Sequence, residues 1–354
     1  MQLTDETWIQ RVNWTWLAAG FLGLFCVIYG PYFVDVTVAP GLFRDPFTPP
    51  EHPLAQYLMS SFLIYFIGHG LHADKLSNFI LLFFGLFAAM VGLVWLYLQR
   101  RFGDARSRLA AFLLLSISPF WLVGVSWLGN STVTVIALYV ALLLAPGRIL
   151  PGLIAAALIC AHREQGVIIL VLHVLLRQPD RWTLVSLAIG TGAGLGLAAL
   201  YFANLTAPVY DRRALTLYYV GDALRFNFAQ PASLILLSLN WFWLVIGFAW
   251  LARMLTWRDG LALMSGLGVT FLMSDNTRVA LLVSMPLIFS LIERVATRAG
   301  PEVMKVAPLL LILGLVQAQR LGFNDGAPRV RDVNWIHTVE VIQSFRSGAG
   351  YVAR

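Results

Sequence analysis

LSNFILLFFGLFAAMVGLVWLYL, residues 76–98, is a run of 23 residues without one charged side chain. Wound as an α-helix at 1.5 Å per residue it reaches about 34 Å, enough to cross the roughly 30 Å hydrocarbon layer of a bilayer. A similar run covers Leu234 to Leu251. The rest of the 354-residue chain agrees with them: 59% of its residues are hydrophobic and 12% charged, against roughly 25% charged in a soluble domain. No water-soluble core hides that much apolar surface. The sequence therefore predicts an all-α, polytopic transmembrane helical bundle.

The formal charge of +7 does not point to nucleic acid, because the 25 Lys and Arg fall in short clusters between apolar runs and form no single basic face. Cys26 and Cys160 both lie inside apolar runs, which fits packing thiols and neither a disulfide framework nor a zinc site. The first run, from Trp14 to Val34, lacks a small-residue cleavage signature and reads as an anchor that stays in place. Candidate spans lie near 14–34, 76–98, 109–127, 131–145, 149–161, 165–176, 183–203, 232–252, 260–274, 279–293 and 304–318, which makes eleven. Arg100, Arg101, Arg106 and Arg108 put the loop after the second run in the cytoplasm. The amino terminus is then cytoplasmic and residues 35–75 lie outside. Spans and loops together make a transmembrane domain over 1–318, followed by a polar tail, 319–354.

At Ala161-His162-Arg163-Glu164-Gln165 the chain forms either one long helix or a hairpin, giving ten spans or eleven. Basic residues divide 13 inside to 12 outside with eleven spans and 15 to 9 with ten, so charge alone does not choose. Adjacent Arg and Glu at a helix centre would carry an insertion cost of about several kcal/mol, which favours the hairpin. In the outer loop 35–75, the stretch Leu54 to Ile67 is apolar and aromatic and suits an amphipathic helix along the interface. Residues 204–230 form a second polar loop, carrying Arg212 and Arg213.

Four groups of residues carry possible chemistry. Asp35 follows the outer end of the first span, as a helix-ending acid or as a general base at the membrane surface. Glu51-His52 opens the interfacial stretch behind Pro46 to Pro50; it caps a helix or contributes to a site, and two ligands are too few to argue a metal. His162-Arg163-Glu164 and Asp275-Asn276-Thr277-Arg278 each set a guanidinium beside a carboxylate at the end of a span. Such groups form an internal salt bridge that fixes helix ends, or they grip phosphate through paired N–H donors. With eleven spans, Asp35, Glu51, Arg163 and Arg278 emerge on one face. A base there can take an acceptor proton while the arginines stabilise a departing phosphate. Trp14, Trp16, Trp121 and Trp127 suit interfacial belts. Gly190-Thr191-Gly192-Ala193-Gly194, inside an apolar run, suits close helix packing. No P-loop, nucleophile elbow or zinc-protease motif is present.

The order of these features resembles the GT-C superfamily of integral membrane glycosyltransferases, in the branch of the protein O-mannosyltransferases and the lipid A aminoarabinose transferases. The resemblance rests on an outer-loop acid, Asp35; on Glu51-His52-Pro53-Leu54 leading an interfacial helix; and on Arg100-Arg101-Phe102-Gly103 before a third span ending in Ser118-Pro119. It rests further on the basic turn at Arg163 and on Thr277-Arg278-Val279 followed by Pro286. It covers roughly residues 14–290 of the 354. The superfamily's paired acids are absent, since Val36 follows Asp35, so the base stays open among Asp35, Asp45 and Glu51. The resemblance implies inverting transfer of a sugar from a polyprenyl-phosphate carrier to a lipid, glycan or protein hydroxyl, at the outer face of a bacterial inner membrane. Asp35 would be the base, with Glu51 as alternate or metal-linked partner, and His52, Arg212 and Arg213 would join the substrate site. Arg163 and Arg278 would hold the carrier phosphate, oriented by Glu164 and Asp275. A divalent metal is compatible and not required. Two other classes use the same arginines: a lipid-linked sugar flippase or transporter, and an O-antigen polymerase or ligase with a pyrophosphate donor.

Overall fold

A computed structural model describes residues 14–31, 39–49, 59–207, 212–273 and 276–318, of which 212–219 and 222 are described by their backbone alone. Among the described residues there is no strand. In chain order the helices are α1 (Trp14–Tyr29), α2 (Ala39–Arg44), α3 (Phe62–Gly70), α4 (Leu76–Arg101), α5 (Ala105–Ser116), α6 (Phe120–Ser126), α7 (Thr132–Leu144) and α8 (Leu150–Ala161). They continue as α9 (Arg163–Arg177), α10 (Arg181–Ala203), α11 (Arg212–Ala229), α12 (Pro231–Leu239), α13 (Phe242–Leu251), α14 (Trp257–Phe271), α15 (Asn276–Lys305) and α16 (Ala307–Leu315).

All eleven apolar runs contain helix, yet among the described residues only α4, α10 and α15 are singly long and apolar enough to cross a membrane. The count rises to five if the bent pairs α5–α6 and α12–α13 each make one span. The remaining apolar helices are shorter than the roughly 20 residues a crossing takes. Burial ranks the three long helices: the apolar part of α15 is 89% buried, those of α4 and α10 only 28% and 22%. So α15 is the central post of the bundle, with α5, α9, α12 and α14 packed around it, while α4 and α10 turn apolar surface outward.

Two runs that read as continuous are broken. The 109–127 run bends by 57° between α5 and α6, where Pro119 cannot donate to the helix ladder and Ser118 Oγ turns back to the Leu115 carbonyl at 2.6 Å. The 232–252 run bends by 88° between α12 and α13 at Asn240. Asn240 holds φ 51° and ψ −134°, and its side-chain oxygen accepts from Ala318 N–H at 3.1 Å, while Thr277 donates to the Leu237 carbonyl at 3.0 Å. Local polar partners replace the broken ladder there.

The chain reverses at His162. Gly152 lies against Ser186 and Gly190, and Ala156 and Ile159 lie against Gly194. Residue numbers rise together along both helices, so α8 and α10 are parallel and in direct contact, and α9 is the return segment that joins them. The glycine-rich segment thus packs as its composition suggests: a Cβ on Gly190 would stand 2.0 Å from the Gly152 carbonyl oxygen.

The 204–230 segment corrects the reading of a polar loop, since α11 fills most of it. Residues 212–229 contain no proline, and Pro231 follows at the start of α12. Ala223 and Asn227, four apart, are buried on one face, and Asn227 donates to the carbonyls of Phe271 and Met273 at 2.8 and 3.0 Å. That docks α11 on the end of α14. In the first loop the described helices are α2 and α3, of which α3 starts later than the expected Leu54, and residues 54–58 lie outside the described residues. Ile64, Tyr65 and Gly68 are buried, with the Phe43 ring so close to Gly68 that a Cβ there would clash at 2.3 Å. The tryptophan-belt reading also fails in part. Trp14 stacks on Trp95 at 3.9 Å, and Trp121 and Trp127 are buried; of the four, Trp16 alone is exposed. Cys26 is half-buried and Cys160 buried, both as free thiols.

Candidate functional site

Helices α9 and α15 define the geometry. At one end, Arg278 of α15 and Arg163 of α9 both act electrostatically on the His162 ring; at the other, Arg177 of α9 donates to Glu293 of α15 at 2.6 Å. Numbering again rises together, so the two helices are parallel. Fifteen residues separate Arg278 from Glu293, about 22 Å along the axis. The bundle therefore holds two polar layers, one at each end.

The Arg278 layer begins with the turn that carries Arg163. His162 takes extended backbone (φ −164°, ψ 101°), which ends α8, and Gly166 N–H donates to the His162 carbonyl at 2.7 Å as α9 begins. Gly166 crosses the last turn of α8 so closely that a Cβ would stand 2.8 Å from the Leu158 carbonyl oxygen. Arg163 N–H donates to the Ser60 carbonyl at 3.3 Å, tying the turn to the segment before α3. Its guanidinium bonds Glu164 at 3.0 Å and lies 4.9 Å from the centre of the Phe202 ring. Glu164 also approaches His162 Nδ1, at 3.6 Å.

Arg278 reaches the same layer from the first turn of α15, where Asn276, Thr277 and Arg278 are all buried. Asn276 donates to the carbonyls of Thr270 and Met273, at 3.0 and 2.7 Å, which gives two acceptors at the end of α14 a partner. The Arg278 guanidinium stands 4.3 Å over the Trp127 ring, a desolvated cation–π contact worth on the order of 2 kcal/mol. Trp127 is brought there by the turn at Gly129, whose φ of 97° suits glycine, and by Asn130, which accepts from Thr132 N–H at 2.9 Å to start α7. Ser61 and Ser131 close the layer with a 2.9 Å hydrogen bond.

The expected pairing of Arg163 with Glu164 is present, and Arg163 and Arg278 come together at one end of the bundle. Asp35, Glu51, His52 and Asp275 lie outside the described residues; Arg212 and Arg213 fall in α11, described there by backbone alone. Asp45, the third candidate base, sits in a turn: its carboxylate accepts from Phe47 N–H at 3.0 Å and from Thr48 Oγ at 2.7 Å. The Thr48 hydroxyl and the Phe47 amide hold its carboxyl below the ordinary range, so it is ionised at neutral pH.

Sequence reasoning missed Trp127, which it assigned to a belt, and missed the second layer. There Glu293 accepts from Tyr97 at 2.5 Å and binds Arg177 at 2.6 Å and Arg101 at 2.7 Å, while Arg294 pairs with buried Asp259. These bonds pin α4, α9, α14 and α15 together. Arg101, Arg177 and Arg294 read as loop charges in the sequence, and only the acids at 259 and 293, near helix ends in apolar surroundings, could have signalled partners. No family model matches the sequence, and no curated protein or solved structure matches the chain. Fold and site thus define a class: among the described residues, an all-α bundle with three to five helices able to cross a membrane and a guanidinium-bearing polar layer at each end, the Arg163 and Arg278 layer at one and the Glu293 layer at the other.

Proposed function

We propose that this chain is an inverting GT-C-like glycosyltransferase of a bacterial inner membrane. It moves a sugar from a polyprenyl-phosphate carrier to a lipid, glycan or protein hydroxyl at the outer face. The observation that carries the reading is the convergence of Arg163 and Arg278 beside His162. Two guanidinium groups from separate helices, one of them buried, suit a phosphate that gains charge as the sugar leaves. In this reading Glu164 orients Arg163, Trp127 steadies Arg278, and Asp35, or Glu51 in its place, takes the acceptor proton. With the eleven spans expected from the sequence, the Arg278 layer would lie outside and the Glu293 layer at the cytoplasmic boundary, among the clustered arginines.

A further support is the root of the carboxyl tail. The Tyr29 hydroxyl lies 2.9 Å from the carbonyls of Leu315 and Gln317 and accepts from Gln317 N–H at 2.6 Å, and Gln317 Nε2 donates to the Ser116 carbonyl at 2.6 Å. The end of α16 thus lies beside the end of α1, as an odd number of crossings requires.

The test uses the full chain in proteoliposomes with a labelled polyprenyl-phosphate sugar and extracted membrane lipids. The expected result is release of free carrier phosphate, reduced at least 100-fold in Arg278→Ala and Arg163→Ala, in line with about 3 kcal/mol per lost charge-stabilising donor. Arg278→Lys keeps the charge, guards against loss of folding, and should stay strongly impaired because the fork is gone. Trp127→Leu should reduce release by less. Label crossing the bilayer without release indicates a flippase. Activity restricted to a pyrophosphate donor indicates a polymerase or ligase.

A further inference from the structure

A groove of about 660 Å³ runs between α3 and the last turns of α10, lined by Phe62, Phe66, Leu197, Leu200 and Tyr201, with Asp45 at its rim. Its walls are built rather than incidental. Phe62 stacks on Tyr201 at 4.6 Å, Phe47 meets Phe66 edge-on at 5.4 Å, and the Tyr201 hydroxyl donates to the Pro46 carbonyl at 2.7 Å. The Thr48 and Thr206 hydroxyls bond at 2.9 Å, fastening the Asp45 turn to the segment after α10. Leu197 and Leu200 carry the apolar wall onward and are 51% and 63% exposed.

The position of the groove says what that wall faces. At the start of α10, Arg148 and Arg181 lie over the Trp182 ring at 5.6 and 5.0 Å; at its end, Arg163 lies over Phe202 beside Tyr201. Nineteen residues separate Trp182 from Tyr201, about 28 Å of helix, close to the thickness of the hydrocarbon layer. Aromatic rings and arginines at both ends are how a spanning helix marks its two boundaries. The rim with Asp45 is therefore at head-group depth, and Leu197 lies a turn further into the hydrocarbon. Neighbouring Arg44 engages Asp74 at 3.8 Å, and the Asp45 carboxylate is exposed at the rim.

We propose that this groove holds one hydrocarbon chain of a membrane lipid whose head group carries an ammonium, paired with Asp45. The apolar wall takes the chain and the carboxylate selects the head. The site needs only a bilayer and does not depend on sugar transfer.

The experiment uses the full chain in proteoliposomes without a sugar donor. Three probes are compared: phosphatidylethanolamine with a diazirine near the end of one acyl chain, phosphatidylglycerol with the same chain, and a diazirine-bearing polyprenyl phosphate. After irradiation, attachment is mapped by peptide mass spectrometry. The ethanolamine lipid should label residues 62–66 and 197–204 at least five-fold more than the glycerol lipid. Asp45→Asn should erase that preference, and Leu200→Trp, which fills the groove, should remove labelling there altogether. Equal labelling by both phospholipids overturns the proposal, as does absence of labelling at these residues or preferential capture of the polyprenyl phosphate. Because no donor is present, the result is read independently of whether the protein transfers sugar.

Discussion

Gly190→Ala tests the seam between α8 and α10. The added methyl would stand 2.0 Å from the Gly152 carbonyl oxygen and 2.6 Å from its carbon. An ordinary carbon-to-carbonyl-oxygen approach is about 3.3 Å, so the helices must part by about 1.3 Å. Both obstacles are backbone, and no side chain can swing aside. Overpacking of this kind costs about 1–3 kcal/mol, while Gly to Ala in a helix interior returns about 1 kcal/mol through propensity. Gly192 is two residues further along the same helix and a Cβ there meets nothing within 4 Å. Gly192→Ala carries the propensity gain alone. The propensity change cancels between the two variants, and the difference of about 1–3 kcal/mol isolates the seam. Thermal denaturation in detergent, followed by the monodisperse fraction on size exclusion, should put Gly192→Ala at or above the wild type and Gly190→Ala clearly below Gly192→Ala. Equal midpoints for the two variants would refute the parallel packing of α8 and α10, and with it the reversal at His162.

Glu293→Gln leaves half-buried Arg177 without its counter-charge and should cost about 1.5–3 kcal/mol, read as a fall in the same thermal midpoint. The double variant Glu293→Gln with Arg177→Met should regain most of it, and unchanged stability in the single variant would show that the layer is not structural. At the start of α10, Asp180 accepts from the amides of Trp182 and Thr183 at 2.9 and 3.2 Å and from the Thr183 hydroxyl at 2.7 Å. The Thr183 bonds hold its carboxyl below the ordinary range. A lowered folded-state value means the cap contributes fully above the unfolded value of about 4 and is lost as pH falls through the lower folded one. Hydrogen exchange, corrected for intrinsic rates, should show the amides of residues 182–184 losing protection on acidification below about pH 4, and Asp180→Ala should abolish that dependence.

The helical class was legible because α4 and α10 each fill one uninterrupted apolar run. The bend at Asn240 was not: Leu234 to Leu251 is apolar on both sides of it, and the turn is held by Ala318, 78 positions away. Pro119 did mark its own bend. Helix α11 hid because Arg212, Arg213, Tyr218 and Tyr219 read as loop polarity, whereas the docking residues, Ala223 and Asn227, are small or polar and gave no apolar stripe. Within the site, Arg163 with Glu164 is a neighbour pair and could be read directly. The approach of Arg278 to His162 and Trp127 joins residues more than a hundred positions apart, and the bonds of Glu293 to Arg177 and Tyr97 do the same. Periodicity reports which face of a helix is apolar; it does not report which helices lie side by side.

The ionic knot on Glu293 also acts mechanically. It clamps α15 at Glu293, while the start of the helix carries Arg278 about 22 Å away, so that stretch of the helix is a lever with a fixed fulcrum. Tilting that post by about 5° would sweep the guanidinium sideways by about 2 Å, the difference between a hydrogen bond made and one missed. Events that loosen the fulcrum would be felt most at the far tip.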